Sequence, residues 1–211
     1  MSSIMVINSK GGSGKTTVST NLSAYFANSG FNVTLVDLDP QQSAMKWLSN
    51  RPISKPKIRG LTSIPPNKVS RKANDITIFD VPAAIYGSRL ENYLKKAKKI
   101  VIPVLPSPID MAAAKDFLRS IRSLGSVVRN RIDICLVANR CRANTNIFVE
   151  LDDYLVKEKG IRYVTAFRDS TNYINSARKG IGVFEMGESM TAQDREEWKP
   201  LISWCKSKRK K

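Results

Sequence analysis

The chain has no histidine among its 211 residues, and its 18 Asp and Glu residues are outnumbered by 35 Lys and Arg residues. Without imidazole, general-base chemistry falls to carboxylates, or to a water molecule that a bound ligand positions. The shortage of acidic residues gives a formal net charge of +17 at pH 7. A charge of this size and sign predicts a polyanionic partner.

Cysteines and long apolar runs are also scarce. The three cysteines, Cys135, Cys141 and Cys205, have no paired metal-ligand spacing and indicate reduced thiols in a cytoplasmic protein. No secretory signal precedes the first strand-like run, and no apolar stretch approaches the ~20 residues that cross a bilayer. We therefore expect a cytoplasmic protein with a single domain over residues 1–211.

Short apolar runs alternate with helix-length segments along nearly the whole chain. This alternation predicts an α/β fold, in which helices cover both faces of a mostly parallel twisted sheet. The interval 46–74 holds eight Lys or Arg residues, four prolines and no acid, and we expect it to be largely an exposed loop. The predicted strands span residues 3–8, 32–37, 75–80, 99–104, 131–138 and 161–167.

A glycine-rich segment directly follows the first apolar run and reads Lys-Gly-Gly-Ser-Gly-Lys-Thr-Thr. An amphipathic segment that ends near Gly30 comes next, as expected for a helix. Glycines let backbone N–H groups turn toward phosphate oxygens, Lys15 can reach the β- and γ-phosphates, and Thr16 offers a hydroxyl to Mg²⁺. The segment therefore predicts a P-loop for a nucleoside triphosphate, formed by Lys10, Gly11, Gly12, Ser13, Gly14, Lys15, Thr16 and Thr17.

Carboxylates close two of the predicted strands. Asp80 ends the run 76–79, and Asp37 and Asp39 end another strand. Because it follows a P-loop along the chain, Asp80 is typical of a Walker B carboxylate, which binds Mg²⁺ directly or through a water molecule. Strand alternation predicts that Asp37 and Asp39 point the same way, toward the γ-phosphate. The alternative for these aspartates is a turn, or the cap of a helix that begins near Pro40.

The P-loop departs from the general template, because Ser9 stands where a glycine is expected and Lys10 adds a second lysine. Together with Val-Asp-Leu-Asp-Pro-Gln at 36–41, this pattern resembles the deviant Walker A ATPases of the ParA and MinD group. The Asp-x-Asp-Pro-Gln form looks like ParA. The resemblance implies a P-loop NTPase fold, slow adaptor-stimulated ATP hydrolysis with Mg²⁺, and a nucleotide-dependent homodimer.

The same resemblance assigns roles to individual residues. Lys10 is the signature lysine that reaches the partner's phosphates, unless it is a solvated surface lysine. Lys10, Lys15 and Asp39 are the catalytic residues, and Asp39 positions or activates the attacking water. Thr16, Asp37 and Asp80 hold or support Mg²⁺. Asn139 and Arg140 stand where the family contacts adenine, although loop chemistry alone also accounts for this pair.

Positive charge is spread along the chain rather than gathered in one motif. It predicts non-specific, salt-dependent binding to DNA of the nucleoid. Because no helix-turn-helix precedes the P-loop, we do not expect the chain to read an operator sequence. A solvated face is the alternative for any single run, such as residues 95–99. The candidate DNA-binding residues are Arg178, Lys179, Lys206, Lys208 and Arg209.

The C-terminal segment has two interpretations. Its lysines surround apolar residues at helical spacing, as in a MinD-like membrane-surface helix. A capping box at 191–194 instead predicts a helix that begins at Thr191, packs on the sheet, and is kinked or divided at Pro200. We expect packing rather than membrane anchoring. The apolar residues are Trp198, Leu201, Ile202 and Cys205.

The resemblance implies plasmid or chromosome partition through a ParB-like or functionally similar adaptor. Positioning of a protein organelle such as the carboxysome is one alternative. The others are a MinD-like membrane-surface ATPase and a metabolic P-loop ligase. The large positive charge and the lack of a recognisable second-substrate motif argue against the ligase.

Overall fold

A computed structural model describes residues 2–64, 74–124 and 132–207. Within these ranges, seven strands form one parallel sheet in the order β3-β2-β4-β1-β5-β6-β7. The strands are β1 (Ser2–Val6), β2 (Asn32–Asp37), β3 (Ile58–Leu61), β4 (Asp75–Asp80), β5 (Lys99–Val104), β6 (Asp133–Cys141) and β7 (Arg162–Arg168). The helices are α1 (Lys15–Asn28), α2 (Ser43–Ser49), α3 (Gly87–Leu94), α4 (Pro108–Ser123), α5 (Asn146–Lys157), α6 (Thr171–Arg178) and α7 (Glu188–Lys206), with a 3₁₀ turn at Val183–Glu185.

Two hydrophobic clusters lie on opposite faces of the sheet. One packs α1, α2 and α7 against the strands, and the other packs α3, α4 and α5. In β1, Ile4 and Val6 belong to the first cluster, whereas Met5 belongs to the second, together with Ile7 just after the strand. Burial on both faces explains why the central strands are continuous apolar runs rather than alternating ones.

Helix α1 ends where the sequence places its glycine. Gly30 has a φ of 81°, and its N–H donates to Ala27 O, while the N–H of Phe31 donates to Phe26 O. These two bonds and the edge-to-face contact between Phe26 and Phe31 form a Schellman motif. The chain is thereby turned directly from α1 into β2.

The predicted loop at 46–74 is wrong in part. Helix α2 extends to Ser49, and Ile58–Leu61 forms β3, which pairs with β2 at the edge of the sheet. This four-residue strand contains an arginine and a glycine and shows little alternation of apolar and polar residues. Its formation therefore depends on pairing with the exposed edge of β2 rather than on its own sequence pattern. Residues 65–73 lie outside the described ranges.

The start of the last helix is also corrected. Helix α7 begins at Glu188 and runs through Pro200 to Lys206, so Thr191 lies inside it and the helix is not divided. Asp194 does not complete a capping box, because its carboxylate binds Arg168 and Asn172. The apolar residues of this helix are buried against the sheet, which agrees with packing: Trp198, Leu201, Ile202 and Cys205. Among the described helices, none has the length and apolar character needed to span a bilayer.

Candidate functional site

The P-loop connects the carboxyl end of β1 to α1. Gly12 and Gly14 adopt left-handed φ values of 77° and 89°, and a Cβ at Gly14 would overlap Nδ2 of Asn139. Helix α1 begins at Lys15, and no side chain caps its N-terminus. The loop and the positive end of the helix dipole therefore form a cradle that fits phosphate.

Lys15 is 7% exposed and folds back over the loop. Its Nζ donates to the carbonyl oxygen of Lys10 at 2.9 Å. Burial lowers the pKa of Lys15, and the nearby carboxylates of Asp80 and Asp39 oppose this shift. Lys10 is half-exposed, and its backbone N–H donates to Oδ1 of Asn8. The two lysines thus lie at the same loop, one buried and the other partly open to solvent.

Asp80 ends β4 and is held by two hydroxyls of α1. Oγ1 of Thr16 donates to Oδ2 at 2.7 Å, and Oγ of Ser19 donates to Oδ1 at 3.2 Å. Burial raises the pKa of Asp80 to about 7, and the Asp37 carboxylate adds to the rise, whereas Thr16, Ser19 and Lys15 oppose it. A hydroxyl and a poorly compensated carboxylate are hard oxygen donors that fit Mg²⁺.

Asp37 and Asp39 occupy different environments. Asp37 is buried, and its carboxylate accepts the backbone N–H groups of Asp39, Ala44 and Met45 at 3.1, 2.9 and 3.1 Å. It therefore stabilises the start of α2, as in the helix-cap alternative. Strand alternation does not extend to Asp39, because β2 ends at Asp37. The roles of Asp37 at Mg²⁺ and of Asp39 at water stay predictions.

Asn139 and Arg140 lie at the end of β6 but face different surroundings. Asn139 is buried, and its Nδ2 donates to the carbonyl oxygen of Ser13 at 2.9 Å. Arg140 is exposed with a φ of 54°, where the pairing of β6 with β7 is irregular. Its Nε lies 3.5 Å from Oδ1 of Asp169. Asn139 thus contacts the P-loop itself, and adenine binding by the pair stays a prediction.

Two supporting residues of the site were not predicted from the sequence. Asn8 is buried, and its Nδ2 donates to Pro103 O at 2.7 Å, which ties the start of the P-loop to β5. Ser19 reaches Asp80 from one turn beyond Thr16. The i, i+3 spacing of Thr16 and Ser19 was a detectable signal, because such residues share a helix face. Asn8 gave no signal of this kind.

The candidate DNA-binding residues are separated in the structure. Arg178 ends α6, Lys179 follows it, and both side chains are exposed. Lys206 ends α7, and its Nζ donates to the hydroxyl of Tyr25 at 2.9 Å. Buried Lys99 at the start of β5 donates to Trp204 O. This end of α7 therefore lies where the strands of the sheet begin, whereas the P-loop lies where they end. Lys208 and Arg209 lie outside the described residues.

This chain is similar to known proteins over most of its length. A family model described as the CobQ/CobB/MinD/ParA nucleotide binding domain matches residues 4–182. The "Maintenance of carboxysome distribution protein A" of Halothiobacillus neapolitanus is 27% identical over 190 residues, which cover 87% of each chain.

Two solved structures match over nearly their whole length. A putative plasmid partition protein from Borrelia burgdorferi B31, bound to AMPPNP, has a TM-score of 0.72 and 13% identity, covering 96% of this chain and 99% of that one. The MinD cell division protein of Aquifex aeolicus has a TM-score of 0.73 and 16% identity over 100% of both chains. At these identities the likeness establishes the fold.

Proposed function

The chain belongs to the CobQ/CobB/MinD/ParA family of nucleotide-binding domains, and from that membership we propose that it is an ATPase whose nucleotide state controls dimerisation and non-specific DNA binding. The observation that carries the proposal is the meeting of Thr16, Asp80 and buried Lys15 beside a phosphate-sized glycine loop. The formal charge of +17 supports DNA as the partner.

In this proposal, the loop N–H groups and Lys15 bind the triphosphate. Lys15 exchanges its bond to the Lys10 carbonyl for a phosphate oxygen. Thr16 and Asp80 hold Mg²⁺, which when bound supplies the positive charge that neutralises the phosphates. Burial raises the pKa of Asp80 to about 7, so the carboxyl would have to lose its proton to serve as a cation ligand near neutral pH. Asp39 orients the attacking water.

The dimer forms through the same site. Lys10 is open enough to contact the phosphates bound by a second copy of the chain. Loss of the γ-phosphate removes the charge that Lys10 contacts, so hydrolysis releases the partner copy and the DNA. A slow intrinsic rate, raised by an adaptor protein, makes this cycle a timer. The molecule acts as a single domain on the nucleoid.

Two cargoes are candidates. Partition of a plasmid or chromosome follows from the ParA-like form of the Asp37 to Gln41 segment. Positioning of a carboxysome is favoured by the relative from Halothiobacillus neapolitanus, whose similarity extends over 87% of both chains. The two cargoes require the same ATPase and differ in the adaptor that engages it.

Light scattering and phosphate release test the proposal on the whole protein. We expect a monomer with ADP and a dimer with ATP and Mg²⁺. Lys10→Ala is expected to bind ATP yet remain monomeric, whereas Lys115→Ala, at an exposed lysine of α4, dimerises like the wild type. A dimer that forms equally in all nucleotide states would contradict the switch. Turnover that requires an added carboxylate substrate would favour the metabolic ligase instead.

A further inference from the structure

Arg51 ties three segments together at the corner that follows α2. Its Nε donates to Pro56 O at 3.0 Å and its Nη1 to Gly180 O at 3.2 Å. Its two Nη atoms also contact the Glu185 carboxylate at 2.9 and 2.7 Å. The Arg51 and Glu185 side chains are 5% and 1% exposed. The charge of Arg51 is therefore neutralised inside the protein.

The end of α6 is pressed against the end of α2 at this corner. Gly180 has a φ of 63°, and a Cβ there would overlap the backbone of Asn50 and Arg51. Nε1 of Trp47 donates to Ile181 O at 3.2 Å. These contacts fix the two helix ends side by side, so the basic residues that flank either end are brought near one another.

Five cations surround this joint, and we call them the α2–α6 basic surface. Residues 40–74 and 170–184 contain no Asp or Glu, and no ion pair involves these five side chains within the described part of the chain. The C-termini of α2 and α6 each carry a partial charge of about −0.5, and together they offset only about one of the five positive charges. The surface consists of Lys46, Lys55, Lys57, Arg178 and Lys179.

We propose that the α2–α6 basic surface binds the phosphate backbone of duplex DNA. This inference rests on the proposed function and assigns the DNA contact to a particular face, of which the sequence indicated only Arg178 and Lys179. The cations project from a loop and from two helix ends. Such a surface neutralises phosphates without reading bases, which fits non-specific binding.

The position of the surface beside the P-loop also favours this assignment. A cavity of about 290 Å³ is lined by Thr16 and Thr17 at the start of α1, and by Lys46 and Ala177 on α2 and α6. The basic surface therefore borders the helix turn that holds phosphate in the proposed function. Lys206, in contrast, is engaged with Tyr25 near the end of the sheet where the strands begin.

A pair of doubly substituted proteins tests the assignment. Lys55→Gln/Lys57→Gln removes two cations of the surface. Lys96→Gln/Lys98→Gln removes two exposed cations between α3 and β5, which form no ion pair within the described residues. Both proteins lose the same charge, so they differ only in where the charge is lost. Retention on random-sequence duplex DNA is measured with ATP and Mg²⁺ over a KCl series.

We expect Lys55→Gln/Lys57→Gln to bind DNA at least about tenfold more weakly at about 100 mM KCl, with a salt slope reduced by about 0.9 for each lost contact. The protein with Lys96→Gln/Lys98→Gln is expected to keep the wild-type slope. Arg178→Gln/Lys179→Gln, on the other segment of the surface, is expected to show the same loss as the first pair. Thermal unfolding of each variant reports whether the fold is intact.

The outcomes separate the two proposals. If the wild type binds DNA and both lysine pairs weaken binding equally, or neither does, the surface assignment is wrong while the DNA-binding function stands. If the wild type does not bind DNA in any nucleotide state, both are overturned. Binding to phosphatidylserine vesicles that is lost in Lys55→Gln/Lys57→Gln, without any effect on DNA, would assign the surface to a membrane and overturn the inference.

Discussion

Asp80 is 1% exposed beside a second carboxylate, and burial raises its pKa from 3.8 to about 7. The unfolded chain releases this proton near pH 4, whereas the folded protein retains it until about pH 7. The folded state therefore loses stability as pH rises across this interval, and the loss is complete above it. Without a bound cation, the ionised Asp80 therefore lowers the stability of the folded protein at neutral to alkaline pH, as is common for functional sites.

Asp80→Asn should remove this pH dependence. In the protein without nucleotide, we expect the variant to be more stable than the wild type near pH 8, by up to about 4 kcal/mol, and to match it near pH 4. Urea unfolding at the two pH values measures the difference. Asp116→Asn, at an exposed carboxylate of α4, is the control and should show no such change. Identical pH profiles of stability for the wild type and Asp80→Asn would show that the pKa of Asp80 is not raised in the folded protein.

Lys15→Ala is expected to weaken ATP binding by about ten- to a hundredfold, because the phosphates lose a hydrogen bond to a buried cation. Equilibrium titration with a fluorescent ATP analogue measures this loss, and the exposed Lys115→Ala serves as control. Wild-type affinity in the Lys15 variant would show that this lysine does not face the nucleotide.

Asp39→Ala is expected to retain ATP and to remain dimeric and bound to DNA, because only the positioning of water is lost. Phosphate release should fall by about a hundredfold or more. The measurement is the nucleotide recovered from the protein after incubation with ATP and Mg²⁺. If the variant hydrolyses ATP at the wild-type rate, the role assigned to Asp39 is wrong.

At the scale of single residues, the sequence indicated that the glycine-rich loop and Asp80 lie together, because parallel strand ends converge, and Thr16 contacts Asp80 in the structure. The helix-cap alternative anticipated that Asp37 accepts N–H groups at the start of α2, but the sequence did not decide between this role and Mg²⁺ binding, because the contact depends on how α2 packs. It also missed Asn8, whose partner Pro103 is distant in sequence. Residues whose role depends on such long-range contacts leave no local pattern.

At the scale of elements, the buried pair of Arg51 and Glu185 joins the corner after α2 to the 3₁₀ turn. Burial alone would raise the pKa of Glu185, but hydrogen bonds from Arg51, Asn28 and the Gly182 N–H outweigh it and hold the pKa below its ordinary 4.5. The ionised pair therefore stabilises the fold at neutral pH, and this contribution is lost as pH falls through the folded-state pKa.

Glu185→Ala should destabilise the protein by about 3–5 kcal/mol near pH 7, because it leaves the buried guanidinium of Arg51 without its counter-charge. Glu188→Ala, whose side chain is 85% exposed, should change stability by less than about 0.5 kcal/mol. Chemical denaturation of both variants gives the comparison. Equal, small effects would mean that the corner is held by its other contacts.

Elements with strong burial patterns were predicted most closely. The strands Asn32–Asp37, Asp75–Asp80 and Lys99–Val104 have the predicted bounds. Short β3 was missed because its stability comes from pairing with β2. The predicted start of α7 at Thr191 was wrong because Asp194 binds Arg168 instead of completing a capping box. Where the local sequence pattern was weak or ambiguous, tertiary contacts therefore determined whether an element forms and where it begins.

At the scale of the whole molecule, the parallel sheet covered on both faces confirms the predicted α/β fold, and the family match confirms the resemblance to ParA and MinD ATPases. The alternation of apolar runs with helix-length segments was sufficient for this prediction. The placement of charge was not predictable in the same way, because the joint between α2 and α6 brings together residues more than a hundred positions apart.

Control of DNA binding by the nucleotide state is tested by retention of the whole protein on random-sequence DNA with ATP and Mg²⁺, with ADP and without nucleotide, over a salt series. We predict binding that requires ATP and weakens steeply with salt. Binding of equal strength in all three states would show that charge alone retains the protein and would contradict a nucleotide switch. Absence of binding at low salt in every state would contradict DNA as the partner.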